Sequence, residues 1–236
     1  AWVERKMLSK KNKQRILSFL AVLVLFITMS ANLLTSSIQE NQTIDEGVHI
    51  MAGFSYLKTG DFRMNREHPP LIKMFAALPL LLTPTNIDTT ADEWMNVDQC
   101  GMALKFLYHN TVDADSILLL ARMPIMILTL LLGALIFCWT KKIFGMTAGL
   151  FALTLYAFDP NFLAHGKYIT TDVGAALAFT LTFFTLSNWM KHATWKKFAL
   201  FALCFGLAQI TKFSAILLVP FIFIVEWSWL ILQKQY

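Results

Sequence analysis

The chain has 236 residues, 56% hydrophobic and 15% charged, with a net charge of +5 and a mean hydropathy of +0.55. An ordinary soluble domain carries roughly 25% charged residues. So few charges, with the apolar residues gathered in long blocks, exclude a disordered chain, a collagen and a disulfide scaffold and argue against a soluble domain. The basic excess does not point to nucleic acid, because the cations flank the apolar blocks.

Residues 1–15 form a basic tail. Ile16 to Leu34 is almost uninterrupted apolar sequence, long enough at about 1.5 Å per residue to cross a bilayer. A first transmembrane helix is placed at 16–37. No small-residue cleavage site follows it, so it is predicted to be an uncleaved anchor.

Residues 38–115 form a long loop, rich in apolar and aromatic residues. Loops of that size are usually functional. Glu46 to Thr59 carries a helical stripe that ends at Gly60. Pro69-Pro70 opens Leu71 to Leu82, too short to span and predicted to lie in the membrane interface. Ala91 to Tyr108 is a third predicted helix. The loop reads as a folded lid on the membrane surface.

Residues 116–236 hold the remaining spans: Ile117 to Thr140, Ile143 to Phe158, Val173 to Met190, and Phe198 to Leu232, which is too long for one crossing and is split at Thr211-Lys212. Lipid cannot satisfy free backbone groups, so the spans must be helices. The prediction is an all-α polytopic membrane protein with about six transmembrane helices. With the N-terminus inside, the inner segments hold Arg5, Lys6, Lys10, Lys11, Lys13, Arg15, Lys141, Lys142, Lys191, Lys196, Lys197 and Lys234, while all acids but Glu4 and Glu226 fall outside. The positive-inside rule therefore places the N-terminus in the cytoplasm and the loop on the outer face of the cell membrane. The basic clusters also attract anionic lipid. Cys138 and Cys204 lie within spans and Cys100 in the loop, so no disulfide framework is implied.

The ionisable residues gather at the outer level. Thr43-Ile44-Asp45-Glu46 fits a capping box, which accounts for Glu46 better than for Asp45. In Glu67-His68-Pro69-Pro70 two prolines fix the backbone beside an acid and an imidazole. Glu67 and Asp172 are candidate ligands of a divalent metal. Arg122 lies inside the second span, where a charge either faces a cavity or snorkels to the surface; its planar fork suits phosphate. His165, Lys167 and Asp172 lie within eight residues between the third and fourth spans, and Lys212 falls at the same level. His49 and His109 read as surface or packing residues.

Together, Asp45-Glu46 after the first span, Glu67-His68-Pro69-Pro70-Leu71, Arg122, the run Asp159 to Asp172 and the segment Gly206 to Ser214 resemble one family. It is that of the polyprenyl-phosphate-sugar-dependent membrane glycosyltransferases with the GT-C fold, which includes protein O-mannosyltransferases and aminoarabinose transferases. The resemblance covers most of the chain and implies the N-terminal transmembrane part of such an enzyme. It implies a polyprenyl-phosphate sugar donor, a protein, lipid or glycan acceptor, and transfer at the outer face. By similarity Asp45 is the catalytic acid residue, with Glu46 and Asp172 as further acidic site residues. Glu67, His68, Arg122, His165, Lys167 and Lys212 are then substrate-binding residues, with Arg122 and Lys167 at the lipid phosphate. Two other readings stand beside it: a transporter, and a non-catalytic lipid-binding or assembly subunit.

Overall fold

A computed structural model describes the backbone of residues 2–234 and the side chains of residues 12–232. The described residues are helical, with no strand. α1 (Trp2–Gln39) continues through the basic tail into the first apolar block. Among the described residues, four segments are long and apolar enough to cross a membrane: Asn12–Gln39 of α1, Ala114–Phe144 (α6), Asp172–Lys191 (α9) and Phe213–Leu232, most of which is α11 (Leu218–Lys234). The other two expected spans are shorter. At about 1.5 Å per residue, α7 (Met146–Ala157) reaches about 18 Å and α10 (Trp195–Gln209) about 22 Å, against a hydrocarbon core of about 30 Å. Each folds back on its predecessor, α7 on α6 and α10 on α9. The α6–α7 hairpin turns on Gly145, whose φ of +89° is open to glycine.

The loop after α1 is a helical layer. It contains α2 (Ile44–Thr59), α3 (Pro70–Ala77) with a 3-10 extension over Leu78–Leu82, α4 (Asp92–Met95) and α5 (Gln99–Tyr108). The predicted helix over 91–108 is broken between α4 and α5, where Val97 takes a φ of +56°. Ile50, Met51 and Phe54 of α2, Ala76 of α3 and Phe106 of α5 share one core with Ile117, Ala121 and Ile125 of α6. The layer is therefore continuous with the top of a membrane helix. α3 is embedded in it too: Ile72, Lys73, Ala76 and Ala77 are buried, and exposed apolar surface is left to Leu78, Leu81 and Leu82 at its end.

Helix ends are fixed locally. Gly60 closes α2 in the left-handed conformation, its N–H bonded to the Tyr56 carbonyl. Asp159 caps α8 (Pro160–His165) by accepting from the N–H groups of Asn161 (2.8 Å) and Phe162 (3.1 Å). Residues 166–171 then lead into α9. The loop layer, α8, the 166–171 connection and the turn at 210–212 all meet at one end of the bundle.

Candidate functional site

Three buried cations, Arg122, Lys167 and Lys73, frame the site end. The first is Arg122, fully buried on α6. Its Nε donates to Glu46 Oε1 (2.8 Å) and its Nη2 to Glu46 Oε2 (2.7 Å). Its remaining N–H groups reach the carbonyls of Ser37 (2.8 Å), Glu40 (3.0 Å) and Asn41 (3.0 Å). A guanidinium has five N–H donors, and all are satisfied within the chain. Arg122, expected at the lipid phosphate, is buried here, closes the C-terminus of α1 and pairs with Glu46.

Glu46 is the other half of that hub. Besides Arg122, its carboxylate accepts from the Thr43 N–H (2.9 Å), the Thr43 hydroxyl (3.2 Å) and the Ile169 N–H (3.2 Å). The first of these is the reach-back half of the capping box. Fully buried and engaged by five donors, Glu46 has a positioning geometry and not that of a residue open to substrate. Its neighbour Asp45 is exposed and takes part in none of these bonds.

His49, one turn along α2, is buried, and its Nδ1 lies 2.6 Å from the Ile169 carbonyl. A carbonyl only accepts, so Nδ1 carries the proton. Burial, with the carbonyl bond opposing it, holds the imidazole below its usual pKa, hence neutral. Glu46 and His49 thereby grip both backbone groups of Ile169. The His49 ring meets His68 edge-on at 5.1 Å, so the residue read as surface or packing ties α2, the 166–171 connection and the His68 turn together. His109 is exposed at the end of α5.

The 166–171 connection is held on its other side by α1 and α6. Thr129 donates to the Gly166 carbonyl (2.6 Å). Lys167 is buried, with its Nζ on Ser36 Oγ (2.9 Å) and Glu40 Oε1 (2.9 Å), so its ammonium is turned into the protein. Tyr168 donates to Glu40 Oε2 (2.5 Å). Burial pushes Glu40 up, but Tyr168 and Lys167 outweigh it and leave the carboxyl below its ordinary range. The same hydrogen bond, helped by burial, raises the Tyr168 phenol to about 12.

The third buried cation is Lys73 of α3, for which the sequence alone gave no role. Its Nζ reaches the Asn65 carbonyl (2.7 Å), Asn65 Oδ1 (2.9 Å), the His68 carbonyl (2.8 Å) and the Tyr56 hydroxyl (3.1 Å). Burial lowers its pKa to about 8. Lys73 thus clamps the Glu67-His68-Pro69-Pro70 turn from beneath. Asn65 passes the order outward: its Nδ2 donates to Gln99 Oε1 (3.3 Å), and Gln99 donates to Glu67 (2.8 Å). Burial raises exposed Glu67, but its own N–H and Gln99 bring it below its ordinary value. A lysine among buried apolar positions of a short helix was the available signal, the same kind that drew attention to Arg122.

The turn docks on α10, with the Leu71 N–H on the Ile210 carbonyl (3.3 Å). That brings Lys212 beside α9, where its Nζ lies 2.5 Å from Asp172 Oδ1. Two clefts open here. One of about 270 Å³ is lined by His165, Asp172, Asn161, Phe162, Val173 and Ala176. The other, about 310 Å³, is bordered by Arg66, His68, Pro70, Gln209 and Phe213. Asp45, Glu67, His68, His165, Asp172 and Lys212 are thus the expected residues with accessible side chains at this end. Of the two candidate metal ligands, Glu67 is bonded to Gln99 and Asp172 to Lys212, and no three His, Cys, Asp or Glu side chains converge among the described residues.

Residues 115–236 match the family described as dolichyl-phosphate-mannose-protein mannosyltransferase. The match takes in Arg122, His165, Lys167, Asp172 and Lys212, while Asp45, Glu46, Glu67 and His68 precede it. No curated protein and no solved structure matches the chain. With the matching segment covering more than half of an all-helical, multi-pass chain, the protein belongs to the dolichyl-phosphate-mannose-protein mannosyltransferase family, and it is a membrane glycosyltransferase of the kind that uses polyprenyl-phosphate-sugar donors.

Proposed function

We propose that the protein transfers a sugar from its polyprenyl-phosphate donor to an acceptor hydroxyl at the outer membrane face, with inversion, and that Asp45 is the base. The observation that carries this is the contrast between adjacent carboxylates. Glu46 is buried under five donors, while Asp45, on the same helical turn, is exposed. The acceptor O–H gives its proton to Asp45, its oxygen bonds to the anomeric carbon, and the bond from that carbon to the phosphate oxygen breaks with its electron pair on phosphate. Hydrolases of sugars use a second carboxylic acid to protonate the leaving group. A phosphate leaves as a stable anion, so cations can take that place. Lys212, paired with Asp172 of the first cleft, and Arg66 on the neighbouring one are accessible cations for that role, and His165 on the first cleft can add a hydrogen bond. Arg122, Glu46, Lys167 and Lys73 act through the backbone they hold.

The test is transfer by the purified protein with a polyprenyl-phosphate sugar. Asp45→Asn keeps shape and removes the base, so turnover should fall by about 10² or more with unchanged thermal stability. Glu46→Gln should instead lower the melting temperature. Normal turnover in folded Asp45→Asn would remove the base assignment.

A further inference from the structure

The opposite end of the bundle holds a second built cavity. Arg15, Ser18, Phe19 and Val22 recur at intervals of three and four, which puts them on one face of α1. Phe137 and Lys141 share a face of α6 in the same way. With Met146 of α7 they line a cavity of about 490 Å³, larger than either cleft at the site end. Its lining is divided: Arg15, Lys141 and the hydroxyl of buried Ser18 on the polar side, Phe19, Val22 and Phe137 on the apolar side. Lys141 Nζ lies 5.5 Å from the centroid of the Phe137 ring. Among the described residues neither Arg15 nor Lys141 has a carboxylate partner.

Position separates this cavity from the glycosyl-transfer site. Arg15 precedes Ser37 by about 33 Å of helix, and Lys141 follows Arg122 by about 29 Å, each close to one bilayer thickness. The basic clusters lie at this end, which the positive-inside rule assigns to the cytoplasmic, anionic leaflet. A planar guanidinium and an ammonium on adjacent helices match a phosphodiester. The apolar wall continues onto Phe19, which is 66% exposed and suits an acyl chain and not a soluble anion.

We propose that this cavity binds one anionic phospholipid, its phosphate between Arg15 and Lys141 with a hydrogen bond from Ser18, and its acyl chain along Phe19, Val22 and Phe137. Native mass spectrometry of the detergent-purified chain, titrated with phosphatidylglycerol and with phosphatidylcholine of the same acyl chains, tests it. One phosphatidylglycerol should bind at least about tenfold more tightly than phosphatidylcholine, because both carry the phosphodiester but the choline ammonium is repelled by Arg15 and Lys141. Arg15→Gln with Lys141→Gln should abolish that preference. Val22→Trp, which fills the cavity and leaves the charges, should weaken phosphatidylglycerol to a similar extent. Lys191→Gln with Lys196→Gln removes equal charge elsewhere on the same end and should leave the preference intact. The proposal is overturned if the Arg15/Lys141 variant keeps the preference, if the Lys191/Lys196 control loses it equally, if Val22→Trp has no effect, or if inorganic phosphate displaces the lipid.

Discussion

Arg122, a charge inside a membrane helix, has all its donors engaged within the chain. Its five bonds join the end of α1, the start of α2 and, through Glu46, the backbone of Ile169. Removing one partner of such a pair leaves the other charge buried and uncompensated, which costs about 3–5 kcal/mol. Arg122→Ala should therefore destabilise the protein by that amount, read as unfolding free energy in detergent. Arg122→Leu combined with Glu46→Leu should cost less than the sum of the two single changes, because no unpaired charge remains. Wild-type stability in Arg122→Ala would show that Glu46 is held by its other donors alone. The sequence made the importance of Arg122 legible, since a cation in an apolar run must be paired or face a cavity. It did not reveal the partner, because Glu46 lies 76 residues away along the chain. Asp45 and Glu46 were likewise visible as a pair, but which of the two is buried depends on that tertiary contact.

At the scale of elements, what was legible followed local rules. The apolar blocks became helices, Pro69-Pro70 opened α3, and Gly60 closed α2. What was not legible depended on packing and length. α7 and α10 are apolar runs that stop short of a bilayer thickness, and Val97 breaks a stretch whose pattern reads as one helix. The closeness of α2 to α3 was hidden as well, although it decides where Lys73 and the His68 turn sit. It rests on Gly53, where a Cβ would lie 2.1 Å from the Lys73 carbonyl oxygen. Backbone cannot yield as a flexible side-chain tip does. Gly53→Ala should push α3 away, loosen the Lys73 clamp and destabilise by about 1–3 kcal/mol. Gly206→Ala in α10, where a Cβ meets nothing within 4 Å, is the matched control. It should be neutral or raise the melting temperature, given alanine's better helix propensity of about 1 kcal/mol. Equal behaviour of the two variants would mean that the α2–α3 contact is not tight.

The whole molecule is organised by its two ends. α9 starts at Asp172, beside the accessible acids and bases, and ends at Lys191, among the lysines. Its 20 residues span about 30 Å, so the two ends should lie on opposite sides of a membrane. The same division separates Thr89, exposed in the loop layer, from Lys196, exposed at the start of α10. The orientation is a prediction from charge. Basic segments stay in the cytoplasm, and placing Lys141, Lys142, Lys191, Lys196 and Lys197 outside would reverse that rule for every short connection at that end. In a cysteine-free background, Thr89→Cys should react with a membrane-impermeant maleimide added to intact cells, and Lys196→Cys only after permeabilisation. Reversed labelling would invert the orientation and move the proposed transfer to the cytoplasmic face. Labelling of both sites from outside would be more damaging, since it would show that α9 does not cross and that the sites at its ends share one compartment.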